Sequence, residues 1–177
     1  MDRLSPFFSR FTLSARVFYS GKLCGGSGTH ESRNTGHLHV LRSGTLQLIQ
    51  ANRRPMLIRE PSVLLFPRPR RHRFWADETS GAEIVCASIE FGAGMLNPLV
   101  QALPDVLVVS LESVSELAPA IDLLFGEAFA DHPGRQSAVD RLTEYFLILL
   151  LRSAIQSGLV KSGVLTGLSP KIWLRRH

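Results

Sequence analysis

The residues best suited to chemistry in this 177-residue chain are histidines and cysteines in a few places. His37 and His39 stand two apart in GHLHVLRSG, His72 sits in FPRPRRHRF, and Cys24 and Cys86 are the two thiols. Alternate residues of a strand share a face, so His37, His39 and Leu41 point the same way. Two neutral imidazoles cannot be buried without hydrogen bonds or a metal. If they point inward, a small barrel brings inward residues from different strands together. Cys24, Cys86, His39 and His72 would then make a soft four-ligand set suited to tetrahedral Zn2+. His37, His39 and His72 would instead leave a position open for water or an effector, and would suit Zn2+, Ni2+ or Fe2+ about equally. The opposite facing stays open, with Leu38 and Val40 inward and both histidines in solvent.

The neighbouring residues have plainer readings beside the chemical ones. Cys24 and Cys86 also fit as small core hydrophobes. His30 lies in a polar Gly/Ser loop and is expected to be exposed. Arg68, Arg70 and Arg71 flank His72 and form either a solvated rim or one that steers an anionic effector.

The elements that must position these residues are mostly strands. RVFYSGKLC, HLHVLRS, TLQLIQ, PMLIRE, SVLLFP, HRFWA, AEIVCASIEF and DVLVVSL are short and rich in Val, Ile, Leu and Phe. Turn chemistry separates them at Ser43-Gly44, Asn52-Arg53, Glu60-Pro61, Pro67 to Pro69 and Ser80-Gly81. The spacing predicts a sandwich or small barrel. Pro67 and Pro69 fix torsions and remove two donors, which holds His72 at a strand boundary. Residues 1–14 predict a short amphipathic helix or docking arm. After residue 112 the apolar period becomes helical, through Leu117, Ile121, Leu124, Phe125 and Ala128, then Val139, Leu142, Leu149 and Leu150. Pro133 and Gly134 break the two runs, which predicts an αα-hairpin. Its second helix contains YFLILLL and is apolar nearly all round, so it must be covered on two sides. On so small a barrel, the second cover is expected from another copy of the chain. The domains expected are therefore a barrel over 1–112, a helical dimerisation hairpin over 113–165, and a disordered or truncated tail over 166–177.

Composition bounds the class. The chain is 45% hydrophobic and 20% charged, ordinary for a globular protein, and its net charge of +5 permits contact with anions. The cysteines match no CxxC pattern. The start, MDRLSPFFSRF, lacks the features of a signal peptide. The most apolar run, Tyr145 to Leu151, is far short of the roughly 20 residues that span a bilayer. The expectation is a cytoplasmic protein, without membrane contact, whose thiols start out reduced.

The histidine motifs, with the turn glycine Gly44 and the Pro-x-Pro turn before His72, resemble the two motifs of the cupin fold, a small jelly-roll barrel. YSGKLCG, GHLHVLRSG, EPSVLLFPRPRRHRF, IVCASIEFG and NPLVQALPDVLVV, followed by two helices, resemble more specifically the N-terminal cupin domain of AraC-type transcriptional regulators. The resemblance implies a mainly β fold with a C-terminal αα-hairpin. It also implies a barrel that senses a metal, a small molecule or an oxidant, and helices that form a homodimer. In that family a separate helix-turn-helix part binds DNA, and SPKIWLRRH does not look like one, so this chain alone is not expected to bind DNA specifically. The resemblance further implies that Cys24 and Cys86 could act as a redox pair, which needs Cα atoms within about 7 Å. The chain departs from the enzymatic cupins. His37 stands nearer their glutamate position, only His30 lies upstream where their histidine pair should be, and the asparagine after the second-motif histidine is missing. A non-enzymatic sensor is therefore expected ahead of a metal-dependent dioxygenase or isomerase, with zinc as the favoured metal.

Overall fold

The computed structural model describes residues 4–158, so the tail expected over 166–177 lies outside the described residues. Nine strands form two antiparallel sheets. They are β1 (Leu13–Leu23), β2 (Gly25–Gly26), β3 (Gly36–Ser43), β4 (Leu46–Ile49), β5 (Met56–Ile58), β6 (Ser62–Phe66), β7 (Arg73–Ala76), β8 (Ala82–Phe91) and β9 (Leu107–Ser110). One sheet runs β1-β8-β3-β6-β9 and the other β2-β7-β4-β5. The eight expected strands all form. The ninth, two glycines long, pairs with Trp75 and Ala76 and carries the chain from one sheet to the other with only Cys24 between. The sheets face each other as a jelly roll and do not hydrogen-bond into a closed barrel.

The helices cover the five-stranded sheet. α1 (Ser5–Arg10) inserts Phe7 into the core. α2 (Pro98–Ala102) was not anticipated. Asn97 caps it, its side chain accepting from the Leu99 and Val100 amides, and Pro98 opens it. α3 (Ala118–Ala128) and α4 (Arg135–Gln156) form the hairpin. α4 lies against both α3 and β1, and it buries Phe146, Leu147, Leu149, Leu150 and Leu151 within the single chain. Most of YFLILLL is thus covered by the chain's own α3 and sheet, with Tyr145 left half exposed, so that run alone does not require a second chain.

This layering makes two cores. Leu38, Val40, Val63, Leu65 and Val85 pack under the helices, while Leu41, Leu48, Leu64, Phe66, Phe74 and Ile84 pack between the sheets. β3 lies in the middle of its sheet, and every residue from Gly36 to Leu41 is buried. Both faces of HLHVL are therefore interior faces. Leu38 and Val40 meet the helices, and His37, His39 and Leu41 meet the second sheet. Two glycines bracket β3. Gly36 approaches β6 so closely that a Cβ would stand 2.3 Å from the Phe66 carbonyl oxygen. Gly44 turns the chain with φ +88, which side chains disfavour. No helix among the described residues is long and apolar enough to cross a membrane.

Candidate functional site: a four-histidine pocket

β3 pairs with β6 and β8 in a register that sets His39 opposite Leu64 and Cys86, and His37 opposite Phe66 and Ser88. β6 ends at Phe66, and the proline turn returns the chain so that the His72 ring stacks on Phe66, with centroids 3.8 Å apart and planes 6° from parallel. His30 arrives from the loop after β2. Its amide donates to the His72 carbonyl at 2.7 Å, and the His72 amide donates back to the His30 carbonyl at 3.1 Å. That backbone exchange lays the His30 ring over the others, its centroid 5.0 Å from His39, 5.2 Å from His72 and 6.0 Å from His37. His30 is half-buried rather than exposed, because its loop is pinned to the barrel mouth.

The hydrogen bonds determine the proton positions. His72 Nδ1 lies 2.8 Å from the Arg70 carbonyl oxygen, which can only accept, so Nδ1 carries the proton. Nε2 of His72 is then a lone pair, and His39 Nε2–H donates to it at 2.7 Å. This leaves His39 Nδ1 as a buried lone pair with no partner, and His37 Nδ1 is likewise buried without one. Burial holds the rings neutral. It lowers His37 to about 4, His72 to about 3, and His39 well below its ordinary value, with mutual repulsion adding to each. His30 is lowered for the same reason.

The cysteines stand apart. Cys86 is buried on the His39 face of β8, and burial pushes its thiol up. Cys24 is exposed. Leu23, next to it, pairs with Ala82, four residues along β8 from Cys86, a strand distance of about 13 Å. That exceeds the roughly 7 Å that a disulfide tolerates. The structure therefore groups His30, His37, His39 and His72, sets Cys86 beside His39, and leaves Cys24 outside. Arg68 and Arg70 are engaged internally. Arg68 donates to the Val100 and Leu103 carbonyls, and Arg68, Arg70 and Arg53 all reach Asp105. Arg71 is exposed. Glu31, Glu60, Asp77, Glu78 and Glu90 are exposed as well.

The donor types are those that borderline metal ions take. The set comprises neutral imidazoles, two of them with unpartnered buried nitrogens, and one whose Nδ1–H is tied to a backbone carbonyl, an arrangement that orients histidine ligands. As the rings lie, no three His, Cys, Asp or Glu side chains among the described residues converge as a ligand set, so occupancy would require ring rotation. His30 was missed as a site residue because a Gly/Ser loop suggests exposure. The available signal was its place upstream of the turn glycine Gly44.

Comparison with known proteins agrees with this architecture. A cupin family model matches residues 2–156. An uncharacterized HTH-type transcriptional regulator of Haemophilus influenzae is 24% identical over 166 residues, covering 81% of this chain and 55% of that protein. The chain thus spans about half the length of the curated relative it matches. The crystal structure of ToxT from Vibrio cholerae with unsaturated fatty acid bound is similar at 12% identity and TM-score 0.45, over 84% of this chain and 55% of that one. A cupin-2 domain protein from Shewanella frigidimarina is similar at 20% identity and TM-score 0.31, over 45% of this chain and 67% of that one. The two facing sheets with their histidines and a match over nearly all the described residues lead to one assignment: the chain belongs to the cupin family.

Proposed function

We propose that this domain is the metal-responsive sensor of an AraC-type transcriptional regulator, reading a transition metal, zinc foremost, at His30, His37, His39 and His72. The observation that carries this reading is the pair of buried, unpartnered imidazole nitrogens, His37 Nδ1 and His39 Nδ1, in a cluster of four neutral histidines. Leaving such groups unpaired costs about 1–3 kcal/mol each, and a metal would satisfy them. The bound ion would link strands of both sheets and so stabilise one arrangement of the jelly roll. An enzyme would need a base near the metal, and Glu31, Glu60, Asp77, Glu78 and Glu90 all face solvent. The same reading expects a homodimer through the helical pair, using the apolar residues that α3 and α4 leave outside, Leu123, Phe129 and Tyr145.

The test is metal content of the purified chain after zinc loading and gel filtration. About one zinc per chain is expected, lost in His39→Ala and in His72→Ala and retained in Cys24→Ser. Absence of zinc from the wild-type chain, or its retention in both histidine variants, would overturn the reading.

A further inference from the structure

β1 is an edge strand, and α4 covers its open side with side chains. The Val17 amide donates to Asp140 Oδ1 at 2.8 Å, Gln136 Nε2 donates to the Val17 carbonyl at 2.9 Å, and the Ala15 amide donates to Glu144 Oε1 at 3.2 Å. Helix side chains therefore satisfy what another strand would otherwise pair. The register of β1 on β8 slips between Val17 and Tyr19, so Phe18 sits at a bulge. Val17 packs into the core beneath the helices. The Phe18 ring goes the other way, to 5.5 Å from His30 and 6.0 Å from His37, with 47% of the residue exposed. A recess of about 260 Å3 lies beside the bulge, lined by Val17, Phe18, Tyr19, Arg135, Gln136 and Val139. Two consecutive residues thus touch the pocket and α4, at the slip in the β1–β8 ladder and beside the recess.

We propose that the Phe18 bulge is the relay between the histidine pocket and helix α4. This rests on the pocket as the sensing site. As the rings lie no three donors converge, so ligand capture turns rings of the cluster, and Phe18 leans on those of His37 and His30. Rotation displaces Phe18, the bulge takes up the movement into the adjoining recess, and the Val17 peptide shifts against Asp140 and Gln136. The seating of α4 on the edge of β1 then depends on the state of the pocket. A regular strand would transmit less, because its ladder bonds to β8 would hold each peptide in place.

The test reads amide hydrogen exchange at Val17 by NMR in the full chain, with the Val63 amide in the core as reference for global opening. In metal-free protein, Phe18→Ala, at a half-exposed site, and His37→Ala, at the pocket, should each change Val17 exchange relative to Val63 by about fivefold or more. The double variant should change it no further, since both cut one path. Unchanged Val17 exchange in both single variants, or fully additive effects, would overturn the relay whatever the metal result. Zinc should alter Val17 exchange in the wild-type chain and leave it unaltered in Phe18→Ala while zinc content stays at wild-type level. Zinc bound without any change at Val17 would overturn the relay and leave the sensor reading standing. An absence of zinc binding beside a coupled Val17 would do the reverse.

Discussion

His72 is held through its backbone as well as its ring, by the His30 bridge on one side and the Arg70 carbonyl on the other. Its neighbours make the cluster acid-sensitive. In metal-free protein His37, His39 and His72 remain neutral in the fold, while the unfolded chain protonates them near pH 6.5. Below that pH the unfolded state binds more protons. Stability is therefore complete above about 6.5 and falls as pH drops toward the folded values of about 4 for His37 and 3 for His72. The buried histidines together make the loss steep across that window. Urea midpoints in EDTA should fall steadily from pH 7 to pH 5, and a flat profile would contradict the burial described here. A second prediction at this scale concerns Gly36. An alanine there meets a carbonyl oxygen of the β6 backbone, which cannot move aside as a side chain can. Gly36→Ala should cost about 3 kcal/mol in chemical denaturation, whereas Gly28→Ala, with nothing within 4 Å, should be nearly neutral. The spacing of His37 and His39 was readable in the sequence, and so was the placement of His72. His30 was not, because the hydrogen bonds that draw its loop inward are backbone contacts with a residue 42 positions away and leave no mark in composition.

At the scale of elements, β3 carries two connections. Its middle holds His37 and His39, and its end reaches the helices through Arg42. That guanidinium pairs with Glu83 of β8 at 2.6 Å and lies over the rings of Phe125 and Phe129, 4.6 and 5.2 Å from their centroids. The pair is partly exposed, so the ionic part is small and salt-screened, and the stacking adds a comparable amount. Arg42→Ala should cost about 1–2 kcal/mol and Glu83→Gln less than about 1. In high salt the Glu83→Gln penalty should shrink while most of the Arg42→Ala penalty persists. Equal penalties for the two variants would mean that the stacking contributes nothing. The strands were legible as elements because each is a short apolar run between turn residues, and the helices because their apolar period changes after residue 112. β2 and α2 were not. Two glycines carry no strand signal, and α2 is a single capped turn whose marks, Asn97 and Pro98, read equally well as a loop.

For the whole molecule, a ligand that binds only the folded jelly roll must raise its stability. Zinc at about one hundred times its dissociation constant should add about 2.7 kcal/mol, roughly 5–10 °C in Tm for a domain of this size, reversed by EDTA. His39→Ala should abolish the shift, and an equal shift in that variant would locate the metal elsewhere. Assembly is tested separately. Sedimentation should give a dimer that Tyr145→Glu or Leu123→Glu weakens, and a wild-type chain that stays monomeric at high concentration would remove the dimer. YFLILLL does not decide the matter, since α3 and the sheet already cover all of it but the Tyr145 edge. By itself, the sequence determined a β domain followed by a helical hairpin, the turn glycine Gly44 and the placement of His72 after a proline turn. Each of these follows from local periodicity and torsional preference. Only the tertiary structure decided which way HLHVL faces. Period two sorts residues into two faces but cannot say which is interior, and here helices bury one and the second sheet buries the other. It also decided that Cys24 stays at the surface while His30 comes in. That choice depends on strand register and on a backbone bridge between distant loops, and neither is a property of any local stretch of chain.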